Sequence, residues 1–352
     1  MRKTFMNKNI KYLALLLVIF ILLTPSFVYA NKGMMIIGPQ DINLQESGQN
    51  AIVAFNGNEE VIILSTDAKS SESTLVLEVI PLPSNPEKVE EGSFDSFTKL
   101  IEIIKEKVRT IERGMNKGLV APQAAPPGVE ITFHKKIGAH DLTIVKVNDL
   151  DDFIDWVKNF TSGKGFEYKE ISPEFKNAVA NYLNRDIKFF VFDVIETGRD
   201  RKSIKPLIYR FKTDFLYYPL EITATSDAGW SSSKVNIFLI AKGVIDEEKI
   251  TNINLWPVTG FEYEYRIELT EKELKEVSPE IANLFSSAYV MNAYYEGTLD
   301  YLNEDLVVYK KDIHIPAFFE KIQIIYSRYI IFRLEKFFRS IQKIFFLITQ
   351  VF

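Results

Sequence analysis

The sequence predicts an α+β protein: a mixed, mainly antiparallel sheet with several packed helices, followed by a C-terminal amphipathic helix. Three observations predict it. Short runs rich in Val, Ile, Phe and Tyr recur along the chain, bounded by Asn, Gly, Pro and Asp, which is the strand-and-turn pattern. Between them lie segments whose apolar residues recur three and four apart, as on a helix with one buried face. The two kinds of segment do not alternate in the regular way that stacked βαβ units require. With 352 residues, 47% hydrophobic and 25% charged, the composition is that of a folded globular chain able to bury a sizeable core.

The first thirty residues read as a secretory signal peptide. Arg2, Lys3, Lys8 and Lys11 make a basic start, Tyr12–Leu23 is uninterruptedly apolar, Pro25 breaks the run, and Val28–Tyr29–Ala30 offers small residues for cleavage after Ala30. The alternative is an uncleaved anchor, because Lys11 and Lys32 bracket a stretch of about the 20 residues a spanning helix needs. Either way, residues 31–313 are expected outside the cytoplasm.

That body opens with strands at Ala51–Phe55 and Val61–Ser65. Asn56–Gly57–Asn58 between them is a hairpin turn, since Asn-Gly readily takes positive φ. Residues 74–83 predict a third strand, and the simplest arrangement is an antiparallel meander. Pro81, Pro83 and Pro86 end it, each removing a backbone donor. Ser93 then caps a helix with Asp95 in its first turn. Phe97, Leu100, Ile101, Ile104, Val108, Ile111 and Met115 fall on one face of it. The Pro, Ala and Gly-rich connector at 118–129 is where an internal boundary would fall. Strands at 129–134 and 141–147 flank the turn at 135–138. Asp149 or Asp151 caps a short helix over 151–160, and Ser172-Pro173-Glu174 starts another that runs to Leu183. Strand-like runs follow at 187–196, 206–213, 217–226, 234–243 and 260–269. Thr270 and Ser278-Pro279 begin two short helices, and 305–311 is a late strand.

The order of these segments resembles the exported bacterial and archaeal family known as domain of unknown function 2330. The stretches that carry the resemblance are QNAIVAFNGNEEVIILST (49–66), LEVIPLPSNPEKVEEGSFDSFTKL (77–100) and KKIGAHDLTIVKVNDLDDFIDWV (135–157), then FKTDFLYYPLEIT (211–223) and YYEGTLDYLNEDLVVYK (294–310). Together they span about 45–310. The resemblance implies an exported protein with no assigned activity and no catalytic residues to carry over. The chain departs from the family's pattern at its end, where a membrane span would be expected and the tail is instead studded with charge.

Chemistry is sparse. There is no cysteine, which excludes disulfides, thiolate nucleophiles and Cys-ligated metals. Nothing calls for a cofactor. His134 and His140, with Glu130 or Asp141, are metal-ligand types, but a His-x5-His spacing on a strand–turn–strand is not a known ligand pattern. Asp149, Asp151, Asp152 and Asp155 crowd one segment. A calcium loop would need Gly at its sixth position and a closing Glu, whereas Phe153 stands there, so helix capping is the simpler role. With few imidazoles and no Gly-x-Ser-x-Gly, a serine hydrolase would have to use His134 or His140 with the serines at 231–233. Asn159-Phe-Thr is a formal glycosylation acceptor, just past the predicted helix.

Charge is divided unevenly. Residues 1–30 carry four basic and no acidic side chains, and residues 314–352 carry net +4, which leaves −13 on residues 31–313 of the whole-chain −5. So acidic a body argues against nucleic-acid binding. Residues 316–352 repeat Phe and Ile at three/four spacing, with Lys321, Arg328, Lys336, Arg339 and Lys343 largely opposite. This predicts a helix lying on a membrane surface, cations at the head groups, with self-association through its apolar face as the alternative. The sequence therefore points to an exported, envelope-associated protein: a non-catalytic binding or assembly module at the membrane surface. The alternative is an extracytoplasmic hydrolase with a metal or acid/base site around His134/His140 and Asp149–Asp155.

Overall fold

The computed structural model describes residues 34–37, 42, 44–115, 140–165, 168, 170–200, 202–225, 233–257 and 267–316. The leader 1–30, the connector 118–129, the strand at 129–134, most of the strand at 260–269 and the tail beyond 316 lie outside the described residues. In chain order the strands are β1 (Met35–Ile36), β2 (Leu44–Phe55), β3 (Glu59–Ser70), β4 (Thr74–Leu82), β5 (Lys88–Glu91), β6 (Asp141–Lys146), β7 (Phe189–Thr197), β8 (Lys202–Ser203), β9 (Leu207–Lys212), β10 (Phe215–Tyr218), β11 (Ser233–Ala241), β12 (Val244–Ile245), β13 (Trp256–Pro257), β14 (Ile267–Thr270), β15 (Ser287–Gly297), β16 (Leu306–Tyr309) and β17 (Ile313–His314). The helices are α1 (Phe94–Met115), α2 (Leu150–Gly163), α3 (Pro173–Asn184), and the shorter α4 (Glu221–Ala224), α5 (Glu248–Thr251), α6 (Glu271–Val277) and α7 (Pro279–Ala282). The class is α+β with mostly antiparallel pairing, as expected.

The β2–β3 hairpin forms at the predicted turn. Gly57 has φ +104, and the Asn56 side-chain oxygen accepts the backbone N–H groups of Asn58 and Glu59, both at 2.9 Å. The predicted meander does not continue. β3 is flanked on its other side by β8 and β9, while β4 leaves for a second sheet of order β1-β4-β7-β6. The reason lies in the burial of β4. Leu77 and Val79 point to one face and Val76, Ile80 and Leu82 to the other, all buried, so the strand needs a packed layer on both sides. In the large sheet, of order β13-β15-β11-β2-β3-β9-β5, β2 and β11 are parallel and the other pairs antiparallel.

Alternation along the strands stacks the molecule in four layers. Ile52, Ala54, Val61 and Ile63 of the large sheet pack on Phe97 and Leu100 of α1 and Leu274 of α6. Val53, Phe55, Ile62 and Leu64 face the second sheet across a core that includes Ile80 and Val191. The outer face of that sheet, through Val79, Phe190 and Phe192, packs on Phe153 of α2 and Phe175 of α3. The helix starts predicted at Ser93, Ser172 and Thr270 are capped by those side chains, while Ser278 begins α7 without a side-chain cap bond. Ser93 accepts the Asp95 N–H, Ser172 accepts the Phe175 N–H with Pro173 in the first turn, and Thr270 forms a capping box with Glu273. Asp149, not Asp151, caps α2, and that helix is longer than predicted.

One predicted strand, 217–226, is a strand, a turn and a helix. β10 ends before Pro219 and α4 follows. Asp305, brought alongside because β16 pairs with β10 in the register Tyr218↔Leu306, accepts the first N–H groups of that helix, from Leu220 and Glu221, at 2.9 Å each. A capping group so distant in sequence leaves no local signal. Among the described residues no helix is long and apolar enough to cross a membrane.

Candidate functional site

The structure separates the residues that the hydrolase alternative would need to bring together. His134 lies outside the described residues, as does the side chain of Asp141. His140 stands at the start of β6 and Asp149 beyond its far end, so a strand of about 17 Å, at ~3.3 Å per residue, lies between them. Asp149 accepts the Asp152 N–H at 2.9 Å as the α2 cap, and Asp151 and Asp152 are exposed in its first turn. Asn159 is exposed but sits within α2, not past its end. Ser233 is buried on β11, and Ser231 and Ser232 lie outside the described residues.

His140 is instead sealed between the sheets. Its side chain is 7% exposed; Nδ1 lies 2.5 Å from Asp193 Oδ2, and Nε2 lies 3.0 Å from the Lys205 carbonyl oxygen. A carbonyl can only accept, so Nε2 carries hydrogen and the imidazole is held in one orientation. Asp193 is fully buried on β7, directly opposite Glu78 of β4, and Tyr209 of the large sheet closes the cluster. Burial opposes the charged imidazole, but the Asp193 carboxylate, with Glu78 adding, outweighs it and raises the His140 pKa above its ordinary value. Burial pushes the Tyr209 hydroxyl well up, and the nearby Asp193 and Glu78 push it further. The group is an internal strut: the His140 ring ties Asp193 of the second sheet to the Lys205 carbonyl oxygen in the segment before β9 of the large sheet.

The solvent-facing candidate is a cleft of about 600 Å³ where the end of α3, the start of α4, α5 and the segment 303–307 meet. α3 delivers Asn181 and Asn184 on its last turn and Arg185 at its C-cap, where a cation suits the helix dipole. The guanidinium spans Glu221 Oε2 at 2.5 Å and Asp305 Oδ2 at 3.2 Å. Asn181 gives its amide to Glu221 Oε1 at 2.7 Å. Asp305 is fully buried, and its Oδ1 also accepts the Tyr182 hydroxyl at 2.8 Å. Burial raises the Asp305 pKa, with Arg185 and the donated N–H groups working against it; burial likewise raises Glu221, opposed by Asn181 and Arg185. Asn252 and Ile253, just after α5, and Asn303 and Glu304 complete the wall.

The sequence reading did not single out any of these residues. The stretches that resemble the family contain Glu221 and Asp305, but as members of YYPLEIT and LNEDLVVYK rather than as groups with a role. Asn and Glu at unremarkable spacings carry no motif, and the cleft draws them from four separate segments.

No family model matches the chain, and no curated protein matches it. Among solved structures, baculovirus P35 aligns with 77% of this chain and 98% of its own at 12% identity and a TM-score of 0.40. A mutated baculovirus P35 after caspase cleavage aligns with 75% of this chain and 99% of its own, at 8% identity and a TM-score of 0.40. The caspase-8/P35 complex aligns with 75% of this chain and 96% of its own, at 12% identity and 0.34. At such scores the likeness carries no argument about fold or function.

Proposed function

We propose that this chain is an exported, envelope-associated protein of the family it resembles, acting as a non-catalytic binding or assembly module held at the membrane surface by residues 316–352. The observation that carries the binding half is how the polar groups divide between interior and surface. The buried imidazole–carboxylate cluster is closed, with both ring nitrogens of His140 engaged. A cleft open to solvent is lined by amides and paired charges from four segments, which is where a ligand could be held. The export half rests on the basic start, the apolar run and the Val28–Ala30 cleavage pattern, and the membrane half on the basic amphipathic tail.

The test is fractionation of cells expressing the full chain, with N-terminal sequencing of the product. Cleavage after Ala30, recovery in the membrane fraction, and release into the soluble fraction on deleting 316–352 are the expected results. A cytoplasmic product that keeps Met1 would overturn export, and a truncated protein that is cleaved but stays membrane-bound would overturn the role of the tail.

A further inference from the structure

We infer that the cleft at Asn181, Arg185 and Asp305 binds a neutral, hydroxyl-rich ligand of the saccharide class, an inference that rests on the binding-module reading. The size fits, since small-ligand sites hold roughly 300–1,000 Å³ and this cleft is about 600 Å³.

The lining selects the chemistry. Its cations are already committed: Arg185 to Glu221 and Asp305, and Lys249 to Asp312 at 3.5 Å. An anionic ligand would have to break one of these pairs and would meet Glu248 and Glu304 as well. Ile253 and Val307 are the aliphatic side chains of the lining, and the stems of its polar residues add to them, so apolar surface stands beside hydrogen-bonding groups throughout the cleft. What remains uncommitted is amide and carboxylate. Among the described residues Asn184 and Asn303 engage no side-chain partner, and neither does Asn252; the Asn181 carbonyl oxygen is likewise unused. Each amide offers two donors and an acceptor, and the carboxylates accept. That mixture matches hydroxyl groups, which both donate and accept, better than it matches any single charge.

A second observation agrees. Tyr301 is 62% exposed, two residues before Asn303, and its backbone carbonyl is held at 2.8 Å by the side-chain amide of Asn254, next to Ile253. The bond ties the backbone of the segment that supplies Asn303 to the chain just after α5, and the exposed ring that this segment carries is apolar surface on which the C–H face of a sugar ring can pack.

Isothermal titration calorimetry on the purified full chain tests this with four probes: a neutral β-linked glucose tetrasaccharide, an N-acetylglucosamine tetrasaccharide, a galacturonic acid tetrasaccharide and calcium chloride. Binding of at least one neutral tetrasaccharide below about 1 mM is expected, with the uronic acid at least roughly tenfold weaker. Asn252→Ala/Asn303→Ala should weaken the neutral ligand by about tenfold or more, and Tyr301→Ala by a smaller factor, with the thermal midpoint unchanged. Absence of binding by both neutral probes at about 10 mM, tighter binding of the uronic acid, or calcium as the sole ligand would overturn the inference. A negative result here in a protein that fractionates as an exported membrane-surface protein removes the ligand class and leaves the binding module standing. Hydrolysis of a neutral probe, seen by chromatography, removes the non-catalytic reading and keeps the ligand class.

Discussion

Replacing His140 with Ala removes the imidazole that faces the buried Asp193. Breaking a buried ion pair from one side costs about 3–5 kcal/mol, because the remaining charge stays uncompensated. Relaxation around the emptied site offsets part of that cost, while the Lys205 carbonyl loses a donor worth about 1 kcal/mol. A net loss of about 3–4 kcal/mol near pH 6 follows, or roughly 10 °C in thermal midpoint for a domain of this size. The pH dependence has a definite sign. His140 holds its proton more tightly when folded, so its contribution is complete below the unfolded value of about 6.5 and is lost as pH rises through the higher folded value. Urea unfolding of wild type and of His140→Ala/Asp193→Asn at about pH 6 and about pH 9 measures this. Wild type should lose stability across that interval by an increment the double variant lacks, and Asp193→Asn should recover part of what His140→Ala loses. A single variant that loses less than about 1 kcal/mol, or a double variant no more stable than the single, would refute the strut.

Three further outcomes follow from the packing. Phe153→Ala empties a site bounded by the rings of Phe175, Phe190 and Phe192 and should cost about 3–5 kcal/mol in urea unfolding. Gly243→Ala places a methyl 2.5 Å from the His314 carbonyl oxygen, so β17 must shift from β12; a loss of about 1–3 kcal/mol is expected, and an unchanged urea midpoint would contradict it. Glu60 is buried, with Tyr217 N–H donating to it at 2.7 Å, and burial raises its pKa. The folded state therefore binds that proton more tightly, and the contribution is lost as pH rises from about 4.3 through the raised value. Glu60→Gln should flatten the stability–pH curve above about pH 4.3, measured as urea midpoints.

Local signals carried far in the sequence. The Asn-Gly turn, the Ser93, Asp149, Ser172 and Thr270 caps and the Phe97–Leu100 part of the α1 stripe were legible because each involves residues within about one helical turn of one another, whereas Ile103, outside the predicted stripe, is also buried. Legibility fails where a partner is remote. The 217–226 run looks like a strand until Asp305 caps it into a helix, 84 residues away at Glu221. Ser287–Gly297, which pairs with β11 along nine residues of the large sheet, escaped assignment because Asn292 and small alanines weaken its apolar pattern. His140 was legible as an imidazole among acids, but its actual partner, Asp193, lies 53 residues on and within a run that reads only as strand.

By itself, then, the sequence determined the α+β class, the hairpin and the ends of the main helices, since propensity, periodicity and capping act over a few residues. Tertiary structure alone decided that β4 leaves the meander, that β2 lies parallel to β11, that His140 is sealed against Asp193, and that Arg185, Glu221 and Asp305 meet at one cleft. The physical reason is common to all four. A strand with two apolar faces, or a buried charge, requires a partner, but its own neighbourhood does not say which distant segment will supply one.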